Sequence, residues 1–161
     1  MKLVIFDCDG VLIDSEMIAC SAEADALTAI GYEITPESVV ERFTGLPSRE
    51  MYARIEAELG HALPDDFGAQ VKQRIMAEYR TELIAIDGAA EVLSSLPTQK
   101  CVASSSSPDK LALGLIETGL FELLYPHVFS TALVERGKPH PDLFLYAANA
   151  MGVHASDCIV V

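Results

Sequence analysis

Leu3-Val4-Ile5-Phe6-Asp7-Cys8-Asp9-Gly10 decides how this chain is read. Four apolar, mostly β-favouring residues end abruptly in two acids and a glycine. A continuous apolar run of this kind predicts a strand buried on both faces, as in a parallel sheet. The acids then stand at the strand's carboxyl end, where open α/β sheets collect their ligands. Two aspartates one residue apart are costly neighbours, because each opposes the ionisation of the other. A cation and a phosphorylated substrate sharing the site would give both charges a purpose, so the stretch points to phosphoryl transfer.

Beyond this strand the period changes. A helix is expected from Ser15 or Glu16, with Ile18, Ala22, Ala26 and Ile30 at four-residue spacing and Gly31 as its stop. Thr35, Pro36 and Glu37 read as N-cap, first helical position and first-turn acid. Ser48 is the expected cap of a helix carrying Met51, Ile55 and Leu59, and Val71, Ile75, Tyr79 and Leu83 mark a longer one. Residues 16–84 thus predict several helices and no strand. Asp87 is the expected cap of a short helix ending near Pro97. Strands are then expected at Lys100–Ala103, His127–Ser130 and Cys158–Val161, with helices after Ser107-Pro108 and Pro141. The alternation argues an α/β core.

The chain has 161 residues, half of them hydrophobic, and a formal charge of −13. That charge argues against a nucleic-acid surface and an anionic membrane. A phosphorylated metabolite must therefore be drawn in by local cations or a metal. No apolar run is long enough to span a bilayer and the N-terminus does not read as a signal peptide, so the expected location is the cytoplasm. Cys8, Cys20, Cys101 and Cys158 have no metal-like spacing and are expected as free thiols. His61, His127 and His154 have no metal-like spacing and suggest no zinc site.

Asp7 is the nucleophile candidate, since a carboxylate attacking phosphorus divides hydrolysis into two steps. Asp9 stands one strand period later, able to protonate a leaving oxygen and then activate water. Gly10 permits a tight turn that would bring backbone amides to phosphate. Ser104 follows the second strand, where its hydroxyl could bind phosphate at a helix start, with Ser105 and Ser106 as unranked substrate contacts. Ser107 before Pro108 reads as an N-cap. Lys138, in Gly137-Lys138-Pro139-His140-Pro141-Asp142, can neutralise a phosphoryl group and the attacking carboxylate.

Asp7 to Glu16, Val102-Ala103-Ser104-Ser105-Ser106 and Gly137 to Asp142 together resemble three ordered motifs of the haloacid dehalogenase-like superfamily. More narrowly, they are similar to its phosphatase and β-phosphoglucomutase-like branch. The resemblance implies a Rossmann-like, three-layer core with a parallel sheet, residues 1–14 and 87–161, and an inserted all-helical cap, residues 15–86. It implies Mg²⁺ held by Asp7, by the Asp9 backbone carbonyl and by an acid after the fourth core strand. The chain ends at Val161, where that acid is expected, so lower activity is expected than from an extended version. The family's phosphate-binding hydroxyl maps to Ser104 and its lysine to Lys138. Gly45 to Glu50 resembles a substrate-facing cap loop, which makes Arg49 a substrate-binding candidate. The mutases carry a histidine where this chain has Ala19, which favours a phosphatase over a sugar phosphomutase. A non-catalytic phosphometabolite-binding protein is the alternative from another class. A monomer or weak homo-oligomer is expected.

Overall fold

β1 (Leu3–Phe6) lies inside a four-stranded parallel sheet of order β3-β2-β1-β4, with β2 at Gln99–Ser104, β3 at Val128–Ser130 and β4 at Cys158–Val160. Leu3 pairs with Gln99 on one side and Cys158 on the other, and Phe6 pairs with Val102. Because side chains alternate, Leu3 and Ile5 share one face and Val4 and Phe6 the other. All four are buried. Leu3 and Ile5 cluster with Cys101 and Ala103 of β2 and with Leu143 and Ala147 of helix α8 (Asp142–Ala150).

The computed structural model describes residues 1–161, which divide into two compact units. The first comprises Met1–Ser15 and Glu82–Val161, the second Glu16–Thr81. Four helices build the second: α1 (Glu16–Ala29), α2 (Pro36–Phe43), α3 (Ser48–Leu59) and α4, which begins at Phe67 and ends at Glu82. Val39 and Phe43, Met51 and Ile55, and Val71, Ile75 and Tyr79 are buried at three- or four-residue spacing, as amphipathic helices require. Tyr52 donates a hydrogen bond to Glu23 at 3.0 Å and meets Phe67 edge-on, with ring centres 5.3 Å apart. Burial, with Glu23 adding to it, pushes the Tyr52 phenol upward.

The first unit's remaining helices are α5 (Ala89–Ser95), α6 (Pro108–Glu117) and α7 (Phe121–Leu124), with short 3₁₀ turns at Thr131–Leu133 and Ala155–Asp157. The boundary expected at residue 86 moves back, because residues 84–86 bond within the first unit. The Asp14 amide donates to the Ile84 carbonyl at 3.0 Å and the Ile86 amide to the Leu12 carbonyl at 2.9 Å. Ile13 and Ala85 form an antiparallel bridge between these donors.

Several local expectations change. Thr35 does cap α2, accepting from the Ser38 amide at 3.3 Å. Ser48 instead lies inside α3, with Pro47 at the cap and no side-chain cap bond. Asp87 yields the cap of α5 to Gly88, whose φ of +81° suits glycine. In α1 the buried residues are Ala22, Ala24 and Leu27, while Ile18 and Ala26, and Ile30 just past its end, are only half-buried. Ser107 occupies the N-cap of α6, but its side chain makes no cap bond.

Candidate functional site

The chain leaves β1 through a tight turn in which the Cys8 carbonyl accepts from the amides of Val11, Leu12 and Ile13 at 2.9–3.2 Å. This turn places Asp7 and Asp9 beside the ends of the neighbouring strands. The Gly10 amide donates to the Ile13 carbonyl at 2.9 Å, within the turn itself. Gly10 takes a φ of +75°, the conformational freedom that the tight turn requires.

Asp7 is paired with Lys138, whose Nζ lies 2.8 Å from Asp7 Oδ1. The same oxygen accepts the Cys8 amide at 2.7 Å. Lys138 sits on a loop between β3 and α8 whose flanks are tied by Arg136, which donates to both carboxylate oxygens of Asp142 at 2.9 Å. The Lys138 ammonium also lies 5.0 Å from the centre of the Phe144 ring, so the loop and α8 together set its reach. His140 is exposed.

Asp9 is gathered by a separate set of donors. Ser15 donates to its Oδ1 at 2.8 Å, and the Lys110 ammonium lies 3.3 Å from the same atom. Ser106 donates to Oδ2 at 2.8 Å and Ser104 to Oδ2 at 3.3 Å. Burial works to raise the Asp9 carboxyl, but the charge of Lys110, then the serine hydroxyls, outweigh it and hold it below the usual carboxylate range. Ser104 is fully buried, and its hydroxyl accepts the Ser106 amide at 3.0 Å. Ser130, at the end of β3, braces this loop by donating to the Ser106 carbonyl at 2.6 Å.

Asp7, Asp9, Ser104, Ser106 and Lys138 are therefore brought to the carboxyl ends of β1, β2 and β3 within the first unit. Ser105 is exposed and stands outside this network of bonds. Arg49 belongs to the second unit, exposed on the first turn of α3. Three participants were not foreseen: Ser15, Lys110 and Ser130. Lys110 carried one legible signal, a cation in the first turn of a helix, where the dipole disfavours it.

The whole chain finds a counterpart in a family model. A model described as a haloacid dehalogenase-like hydrolase matches residues 1–161. The chain is a haloacid dehalogenase-like hydrolase. A 6-phosphogluconate phosphatase of Escherichia coli (strain K12) is 32% identical over 162 residues, spanning 100% of this hydrolase and 73% of that protein. The crystal structure of a conserved haloacid dehalogenase-like protein of unknown function from Agrobacterium tumefaciens superposes with a TM-score of 0.87 at 36% identity. It covers 99% of this chain and 73% of its own. A haloacid dehalogenase-family hydrolase from Deinococcus radiodurans R1, solved with bound phosphate and sodium, gives 0.77 at 32% identity, covering 99% and 71%.

No group of three or more His, Cys, Asp or Glu side chains in this hydrolase is placed to hold a metal ion. The donor chemistry nonetheless fits Mg²⁺, which is commonly bound by one or two carboxylates and completes its shell with water and substrate phosphate. Asp7 supplies a hard oxygen of this kind: its Oδ1 is engaged by Lys138 and Cys8, while its Oδ2 makes no hydrogen bond. All four cysteines are free thiols. No helix is long and apolar enough to cross a membrane.

Proposed function

We propose that this hydrolase is a Mg²⁺-dependent phosphatase of small phosphorylated metabolites, with phosphosugars as the substrate class and an aspartyl phosphate as intermediate. The observation that carries the reading is the separate pairing of the two acids, Asp7 with Lys138 and Asp9 with Lys110 and three serines. Two like charges in one turn are thereby assigned different work. The phosphate-bound relative and the phosphatase of a phosphorylated sugar acid support the same class.

Asp7 attacks phosphorus as the ester P–O bond breaks, and Asp9, which takes up a proton on Oδ2 once the serines release it, gives that proton to the leaving oxygen. In the second step Asp9 takes a proton from water as that water attacks the aspartyl phosphate and frees Asp7. Lys138 neutralises the attacking carboxylate and the incoming phosphoryl oxygens, a role requiring a cation already in place before charge develops. Ser104, with Ser106 beside it, supplies hydroxyl donors for phosphate once Asp9 Oδ2 releases them, with Lys110 and Ser15 staying on Oδ1. Mg²⁺, held by the Asp7 carboxylate and the Asp9 backbone carbonyl, would supply further neutralisation of phosphate charge. Arg49, Gly10 and Ser105 remain substrate-binding candidates, Gly10 through its turn and not its amide.

Phosphate release from a panel of phosphosugars, with and without Mg²⁺ and alongside Asp7→Asn, tests the reading. Mg²⁺-dependent release that Asp7→Asn abolishes is expected. Release indifferent to Asp7 would overturn the covalent route. Isomerised sugar phosphate with little free phosphate would indicate a mutase, and binding without turnover a non-catalytic protein.

A further inference from the structure

Lys110 breaks a local rule. It is the third residue of α6, a helix opened by Pro108, and a cation there opposes the helix dipole. Its side chain is also only 20% exposed, so its charge gives up much of its water. Both costs fall on a residue that a surface helix would ordinarily turn to solvent. The compensation is Asp9, whose carboxylate is reached by Lys110 at 3.3 Å.

Asp9 needs such a tether because it projects from a turn and not from the strand itself. Ser15 and Lys110 converge on Oδ1, one from the chain beyond the turn and the other from α6, while Ser104 and Ser106 take Oδ2 from the end of β2. The serines are neutral donors. Lys110 contributes the opposite charge, and charge-assisted bonds are the stronger kind. Lys138 is already paired with Asp7, so the two lysines divide the two acids between them.

We infer that Lys110 is a positioning residue for Asp9, fixing where the proton-handling carboxylate stands relative to Asp7 and the serine loop. The inference rests on the phosphatase reading for its consequence in turnover, though not for its consequence in structure. Lys110 acts through Asp9: its loss lets Asp9 hold a proton more readily but takes the carboxylate from its place, so the step in which a poor leaving oxygen must be protonated is harmed through position. The loss harms departure of a good leaving group less.

The test compares wild type, Lys110→Met, Asp9→Asn and the double variant on 6-phosphogluconate and on 4-nitrophenyl phosphate. The value of kcat/KM reports the steps up to leaving-group departure. For Lys110→Met it is expected to fall about tenfold or more on the alkyl phosphate and by a clearly smaller factor on the aryl phosphate. The double variant is expected to be no worse than Asp9→Asn alone, because both changes act through one group. Equal losses on the two substrates, no loss, or additive losses would overturn the inference. A crystal structure of Lys110→Met provides the second measurement. Asp9 leaving Ser15 and Ser106 supports the tether, and Asp9 unmoved overturns it whatever the turnover. Wild type that releases no phosphate would count against the phosphatase reading, while the crystal structure would still decide the tether.

Discussion

The Ser130 hydroxyl donates to the Ser106 carbonyl at 2.6 Å, tying the end of β3 to the loop that follows β2. The same hydroxyl accepts the Ala132 amide at 3.3 Å. One buried side chain thus joins two strand ends next to the carboxylate network, and the shape of the serine loop depends on a residue that does not itself touch Asp9.

Ser130→Ala should therefore act on both stability and substrate affinity. Losing a buried hydrogen bond typically costs about 1 kcal/mol, which a shift in the urea midpoint would register. KM should rise because Ser106 loses its brace. A variant with unchanged midpoint and unchanged KM would show that the loop holds its form without β3.

Gly137 precedes Lys138, and a Cβ added there would stand 2.5 Å from Thr131 Oγ1. Gly137→Ala must displace either Thr131 or the lysine loop, so phosphate release should fall. Thr131→Ala in the same chain removes the obstructing atom and should restore much of the activity. If the double variant is as impaired as Gly137→Ala alone, the clash is not the cause.

Lys138→Met removes the cation beside Asp7 while leaving a stem of similar length. Losing one preorganised electrostatic partner commonly costs about 10²–10³-fold in kcat, and a loss of that order is expected. Near-ultraviolet circular dichroism should match wild type, since the lost ion pair is partly exposed. Comparable turnover in the variant would remove Lys138 from the chemistry.

Cys101 gives a test at alkaline pH. Burial, aided by Cys158, pushes its thiol from 9.0 up to about 12. Between those values the folded chain keeps a proton that the unfolded chain has released. The unfolded state then binds fewer protons, so stability falls as pH rises through this window. Urea midpoints of wild type and Cys101→Ala should converge between neutral pH and about pH 10.5 as the wild type loses its advantage. Parallel curves would mean that Cys101 contributes nothing to the alkaline loss.

The strand Leu3–Phe6, the acids after it and the helical stretch that follows were all legible, because each depends on local pattern. A run of apolar residues, a charge pair and a four-residue repeat can be read without knowing what lies opposite. Helix caps were less so: Gly88 displaced Asp87 through a positive φ, which a side-chain preference does not reveal. The partners of Asp9 were the least legible. Lys110 lies 101 residues from Asp9 along the chain, and Ser106 lies 97 away. Only parallel pairing of β1 with β2 brings them together. Gly10 was legible for its turn, because a positive φ of +75° is a local demand that glycine meets.

The bridge between Ile13 and Ala85 has a consequence for how the chain can change. The segment between them leaves and returns at one antiparallel contact, so its two ends are held together whatever is built in the intervening stretch. Joining β1 to β2 then requires closing a long excursion only once, and a longer insertion adds to that entropic cost only logarithmically. The helical unit is in this sense a replaceable module. The register that sets Asp7 and Asp9 beside their lysines then depends on the bridge and not on the length of the stretch it closes.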